Sequence, residues 1–180
     1  MKNAGDLKSP LFILKINIFL RSLSKFVMDQ NKIKDLVEEA LALNESLFLI
    51  DLSISVNNKI QVTVDGDNGV PLSECIRISR NVEHNLDREE EDFALEVTTP
   101  DISHPLKEKR QYKKNINRIL KVKTAEQEVE GTLSEADDDK IVLNWKAREP
   151  KPIGKGKVTV QKTATIAYKD IKEAKVKIVF

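Results

Sequence analysis

The chain has 180 residues, 40% of them hydrophobic and 33% charged, with a formal net charge of +1. That length holds two small domains of roughly 70–80 residues each, and the apolar share sets the chain apart from disordered ones. A single cysteine, Cys75, excludes an internal disulfide, and with only His84 and His104 beside it a self-contained tetrahedral zinc site is excluded too.

The near-neutral total conceals opposite halves. Residues 28–106 carry 6 basic and 17 acidic side chains, a balance of −11; residues 107–180 carry 19 and 11, a balance of +8; residues 1–27 add +4. A basic module suits a phosphate backbone, whereas an acidic one repels it and suits a cationic protein.

In chain order, residues 11–20 (LFILKINIFL) are apolar, but Lys15 and Asn17 interrupt them and the run is too short to span a bilayer. Lys2 and Lys8 imitate a signal peptide, with Ser22 and Ser24 as a poor cleavage site. Residues 1–27 are therefore expected to be an upstream extension outside the fold, which begins at Met28. Ile33, Leu36, Val37, Ala40 and Leu41 recur at helical spacing, with Asp29 or Asn31 available as the cap. Phe48, Ile50, Leu52, Ile54 and Val56 alternate strictly, Asn57-Asn58 is a turn pair, and Ile60, Val62 and Val64 alternate again, which predicts a hairpin. The loop DGDNG (65–69) leads into a second helix from about Ser73, with Cys75, Ile78, Val82 and Leu86 on its buried face. A solvated acidic run, Glu89–Asp92, precedes a third strand at Phe93, Leu95 and Val97. The first domain, 28–99, thus reads α-β-β-α-β, with both helices on one face of the sheet.

Pro100 and Pro105 bracket a stiff link (100–106, ending at Leu106), because proline lacks an amide donor and biases the residue before it away from the helix. The tract 107–118 (KEKRQYKKNINR) follows with six basic residues and one acidic. If helical, it places Lys107, Arg110 and Lys114 on one face. Short alternating runs then appear at Leu120 and Val122, at Val129, Gly131 and Leu133, and at Ile141, Leu143 and Trp145, with an acidic turn at Asp137–Asp139. Lys146–Lys157 reads as a Lys/Pro/Gly-rich loop. Val158–Tyr168 resumes β character, and Ala174, Val176, Ile178 and Phe180 alternate to the end. The second domain, 107–180, is expected to be a small SH3-like or Sm-like barrel, making the fold class α+β.

No catalytic constellation stands out. DGDNG starts like a calcium loop, but Val70 and Ile76 occupy positions that need Gly and Glu. Gly154-Lys155-Gly156 lacks the rest of a phosphate loop, and neither histidine has a nucleophile beside it. The expected catalytic residues, metal ligands and cofactors are therefore none. The enzyme alternative is a hydrolase built on Asp65 and Asp67. The basic side chains Lys107, Lys109, Arg110, Lys113, Lys114 and Arg118, with Lys151, Lys155 and Lys157 secondary, are the candidate RNA contacts.

The runs VDGDNGVPLSECIRISRNVEHNLD (64–87) and FALEVTTPDISHPL (93–106) resemble the ribosome maturation factor RimP family. So do RQYKKNINRILKVKT (110–124), EGTLSEADDDKIVL (130–143) and IAYKDIKEAKVKIVF (166–180). The most specific matches are Asp65…Gly69-Val70 with Glu74-Cys75, Glu96-Val97-x-x-Pro100 with Pro105-Leu106, and Glu130-Gly131 with Leu133. Between its prolines the family usually carries something like Gly-Leu-Asp-Arg, where this chain has Asp101-Ile102-Ser103-His104. The resemblance implies a non-enzymatic, cytoplasmic factor of late small-subunit (30S) assembly. Such a factor binds the free small subunit and its rRNA and assists incorporation of a basic ribosomal protein, the small-subunit protein numbered twelve, near the decoding centre. It implies an α+β domain followed by an SH3-like barrel. A monomer without membrane contact is expected. The alternative is a general RNA-binding adapter with no ribosomal role.

Overall fold

The structure, a computed structural model, describes residues 28–87, 92–151, 153 and 155–178. The expectations for residues 1–27, for Glu89, Glu90 and Glu91, for Gly154 and for Phe180 lie outside the described residues.

Helix α1 (Gln30–Ala42) begins where Asp29 accepts from the amides of Asn31 (2.9 Å) and Lys32 (3.3 Å). Two first-turn donors are thereby satisfied. Its buried residues Ile33, Val37, Ala40 and Leu41 belong to the predicted stripe. Strands β1 (Leu47–Ile54) and β2 (Lys59–Gly66) pair antiparallel through a turn in which Asn58 takes a φ of 52°. Asparagine tolerates that left-handed conformation. Helix α2 (Leu72–Asn85) buries Cys75, Ile78 and Val82 and leads to β3 (Ala94–Thr98), which pairs parallel with β2. Both helices share one core with Ile60, Val62 and Val64 of the middle strand, as expected. Burial pushes the Cys75 thiol pKa up, consistent with a small core side chain.

The strict alternation expected over β1 does not hold. The register shifts between Leu49 and Asp51, and the side chains packed against the helix-side core are Leu49, Leu52 and Ile54. A bulge inserts one residue and so exchanges the faces of everything before it. Phe48 stands outside that core, directly opposite Asp65 in the ladder. This displacement creates the site described below.

Beyond the link lie a short helix, α3 (Lys109–Lys114), and strands β4 (Ile119–Thr124), β5 (Glu128–Ala136), β6 (Lys140–Pro150) and β7 (Lys157–Ala167). A 3-10 turn (Tyr168–Asp170) leads to β8 (Ile171–Val176). The order is β7-β6-β5-β4-β8, antiparallel throughout, around a second core that includes Leu120, Val122, Leu133, Ile141, Leu143 and Ala174. The fold is α+β. The five-stranded sheet is not closed, since β7 and β8 remain its two edges, so the word barrel describes it only approximately.

Two boundaries also differ from expectation. Half of the expected loop 146–157 is strand: an unbroken ladder runs from Lys140↔Ala167 to Pro150↔Lys157, which leaves 151–156 as the turn. Cross-strand pairing overrides the weak β propensity of Lys, Ala and Pro here. Pro150 stands at the strand end, where its missing donor interrupts nothing. The last strand stops at Val176, short of Ile178.

Gly131 lies where β5 approaches β6 closely: a Cβ there would sit 3.0 Å from the Asn144 carbonyl oxygen. Gly131→Val is expected to lower the unfolding free energy by about 1–3 kcal/mol through overpacking, read by urea denaturation. An unchanged midpoint would show that β5 and β6 separate freely at this point.

Candidate functional site

The chemistry of this molecule concentrates where the two lobes meet, at α3. The helix is shaped from within: Gln111 Oε1 accepts from the amides of Lys107 (2.8 Å) and Glu108 (3.1 Å), folding back over the cap just ahead of the helix. The link is anchored just before it, where the Leu106 amide donates to the Ala174 carbonyl of β8 at 2.8 Å. Tyr112 packs edge-on against Tyr168, 5.1 Å between ring centres, and burial pushes its hydroxyl pKa up to about 12. One side of α3 is thus built into the second core, while Arg110, Gln111 and Lys114 reach the first lobe.

At that boundary the acidic loop and the basic tract neutralise one another. Asp65 is 5% exposed. Its Oδ1 accepts from the Gly66 amide (2.8 Å) and from Lys114 Nζ (2.5 Å), and its Oδ2 accepts from Gln111 Nε2 (3.2 Å). Arg110 grips Asp67 with two parallel bonds, Nε to Oδ1 at 3.0 Å and a terminal nitrogen to Oδ2 at 2.5 Å. The same guanidinium donates to the Glu45 carbonyl at 2.8 Å and stands 4.4 Å from the ring centre of Phe48. Planar, bidentate and stacked contact of this kind is what arginine supplies and lysine does not. Lys107 adds an exposed pair with Asp51 at 3.0 Å. The hydrogen bond from Arg110 is the main reason the Asp67 carboxyl titrates below its ordinary value of 3.8, and it raises the pKa of Arg110 in return.

Five of the six cations predicted in the tract have partners inside the chain. Lys107, Arg110 and Lys114 reach the first lobe, while Lys113 pairs with Asp138 (2.7 Å) and Lys109 donates to the Asp138 carbonyl (2.5 Å). Arg118 is exposed beside a cleft of about 270 Å³ between the lobes, whose lining includes Asp65, Pro100, Asp101, His104 and Pro105. Leu106 also lines that cleft. Lys151, Lys155 and Lys157 lie at the exposed β6–β7 turn, at the opposite end of β6 from the Asp137–Asp139 turn that Lys109 and Lys113 meet. The tract and this turn therefore form separate cationic regions.

The sequence does not mark Asp65, Asp67 and Phe48 as partners of the tract, nor Gln111 as the tract's neutral donor to Asp65. DGDNG did read as a turn, and Gly69 does take a φ of +86°; a Cβ on Gly66 would meet the Gly69 carbonyl oxygen at 2.6 Å. The excess of acid before residue 107 was the available signal, but it does not say which carboxylates face which cations. Among the described residues, no group of three or more His, Cys, Asp or Glu is placed to hold a metal ion. No helix among them is long and apolar enough to cross a membrane.

Fold and junction together define an α+β protein with an acidic lobe and a basic lobe, fastened by charge-assisted hydrogen bonds. Residues 33–103 match the RimP N-terminal domain family. The chain is 56% identical over 153 residues to the ribosome maturation factor RimP of Christiangramia forsetii, spanning 85% of this chain and 100% of the relative. It is 56% identical over 151 residues to that of Flavobacterium psychrophilum (84% and 98%) and 34% identical over 150 residues to that of Porphyromonas gingivalis (82% and 97%). The chain belongs to the RimP family of ribosome maturation factors.

Arg110→Ala removes the bidentate grip and leaves Asp67 unpaired. It is expected to loosen the lobes, read as a larger radius of gyration in X-ray scattering and faster amide exchange along α3, with both cores intact. Scattering identical to the parent would remove Arg110 from the interlobe contact. The pH dependence has a definite sign. Because the folded-state pKa of Asp67 is depressed, its contribution is complete above the ordinary value of 3.8 and fades as pH falls through the lower, folded value. Asp67→Asn should abolish that acid-side component of interlobe opening, and a variant retaining it in full would assign it to another group.

Proposed function

We propose that this chain is a non-catalytic factor in maturation of the small ribosomal subunit, acting in the cytoplasm as a monomer. The observation that carries the reading is its 56% identity to curated ribosome maturation factors that it matches over 98–100% of their lengths. The lobes divide at the 100–106 link. The acidic lobe attracts a cationic small-subunit protein, and the basic lobe holds rRNA phosphates. Of the nine candidate contacts read from the sequence, Arg118, Lys151, Lys155 and Lys157 pair with no carboxylate among the described residues and so are available for phosphate. Lys109 and Lys113 extend the surface, shared with the Asp137–Asp139 turn. Lys107, Arg110 and Lys114 serve to position the lobes. Asp65 and Asp67, the pair a hydrolase would need, are engaged by Lys114, Gln111 and Arg110, which supports the non-catalytic reading.

In a gradient of cell lysate the protein should travel with free small subunits and be absent from polysomes, and cells lacking it should accumulate immature small-subunit particles. Cosedimentation with bulk RNA regardless of ribosomal content would favour the general adapter instead. Charge reversal of Arg118 and Lys155 together should weaken small-subunit binding and flatten its salt dependence. Equal affinity across salt would take those side chains out of the interface.

A further inference from the structure

β6 and β7 do not end with the sheet. The pairing of β5 with β6 begins at Thr132↔Asn144, whereas β6 and β7 remain paired beyond it, from Trp145↔Lys162 to Pro150↔Lys157. Residues 145–150 and 157–162 therefore form a two-stranded ribbon six pairs long, roughly 20 Å at strand rise, whose base at Trp145, Lys146 and Gln161 still borders β5.

Paired residues share a face, so the two faces of this ribbon can be read directly. One carries Lys146 opposite Gln161, Arg148 opposite Thr159, and Lys157 opposite Pro150, with no carboxylate. The other carries Trp145, Ala147, Val158 and Val160, and its Glu149 neutralises its Lys162. Lys146, Arg148 and Lys157 have no ion-pair partner among the described residues.

We propose that the Lys146–Arg148–Lys157 face of the ribbon is a binding site for the sugar–phosphate backbone of duplex RNA; the choice of RNA rests on the maturation reading above. Lys146 and Arg148, two residues apart, place cations roughly 6.7 Å from one another along the strand. Thr159 and Gln161 supply neutral donors beside them, and side chains of these types make phosphate and sugar contacts. The ring that would stack an unpaired base, Trp145, lies on the opposite face and packs against the second core, so the cationic face offers a duplex its backbone contacts and a single strand no platform. The apolar side chains that would enter a lipid surface are likewise on the other face.

The test is a titration of the full chain against a short blunt-ended RNA duplex across a salt series. Lys146→Ala, Arg148→Ala and Lys157→Ala combined should weaken binding by about tenfold or more and reduce the slope of log affinity against log salt by roughly 2–3. Glu149→Gln with Lys162→Gln, which removes the pair on the other face without changing net charge, should leave both quantities as in the parent. Arg148→Gln alone, on an exposed side chain, should flatten the slope by about one. Undiminished duplex binding in the triple and single variants overturns the proposal, and so does binding by the parent to phosphatidylserine vesicles but not to the duplex. Neither result touches cosedimentation with small subunits, which fails on its own if the maturation reading is wrong.

Discussion

Asp65 is a carboxylate almost wholly enclosed by protein, and the arrangement of the two lobes depends on how its charge is met. An ionised side chain withdrawn from water carries a desolvation cost of several kcal/mol unless donors replace the lost solvation. Gly66 supplies one donor from its own lobe; Lys114 and Gln111 supply two from the other. Separating the lobes would return Asp65 to water and uncover one face of the Phe48 ring, against which Arg110 stacks. The contact is therefore held by polar complementarity and geometry more than by a shared core, and the two hydrophobic cores have no residue in common. Exposed pairs such as Lys107–Asp51 add only about 0.2–1 kcal/mol each. Arg110 adds more than a surface pair because two parallel bonds, a backbone carbonyl and the Phe48 ring restrain it at once.

Part of the charge asymmetry along the chain therefore has an internal purpose. The −11 and +8 balances invite a search for two external partners, yet Asp51, Asp65 and Asp67 meet Lys107, Lys114 and Arg110 within the molecule. Short tethering by the link keeps these groups at high effective concentration, so modest attractions suffice to dock them. What remains for outside partners is the charge left unpaired: carboxylates away from the junction, and the cations of the β6–β7 ribbon and its turn.

Periodic local signals were legible in the sequence and long-range ones were not. The stripe Ile33–Val37–Ala40–Leu41, the Asn58 turn and the alternation Leu120–Val122 each report on neighbours within a few residues, and each matches the structure. The bulge at β1 escaped because Leu47, Phe48, Leu49 and Ile50 are all apolar, so either face of the strand before Asp51 reads as buried until the register is known. The ribbon escaped for the opposite reason: Lys146, Arg148 and Pro150 have poor strand propensity, and only pairing with residues 157–162 makes them a strand. The junction is also a long-range feature, with Arg110 and Asp67 43 residues apart and Lys114 and Asp65 49 apart. Charge counts find both sides of such a contact and match neither to the other.

Burial separates the two sets of cations in their response to salt as well as in position. Lys114 meets a carboxylate with little solvent access, where counter-ions screen poorly, whereas Lys146, Arg148 and Lys157 are exposed to the ionic atmosphere. Screening over a Debye length of about 8 Å at physiological ionic strength acts on the ribbon first. Phosphate contacts made there weaken steeply with added salt because bound counter-ions are no longer released on association. A rise in ionic strength thus detaches an RNA from the ribbon while the lobes stay fastened, and the same chain can release its nucleic acid without losing its shape. Had the tract at 107–114 been the main phosphate site, binding RNA would have required Arg110 and Lys114 to abandon Asp67 and Asp65, and a buried carboxylate would have opposed every association.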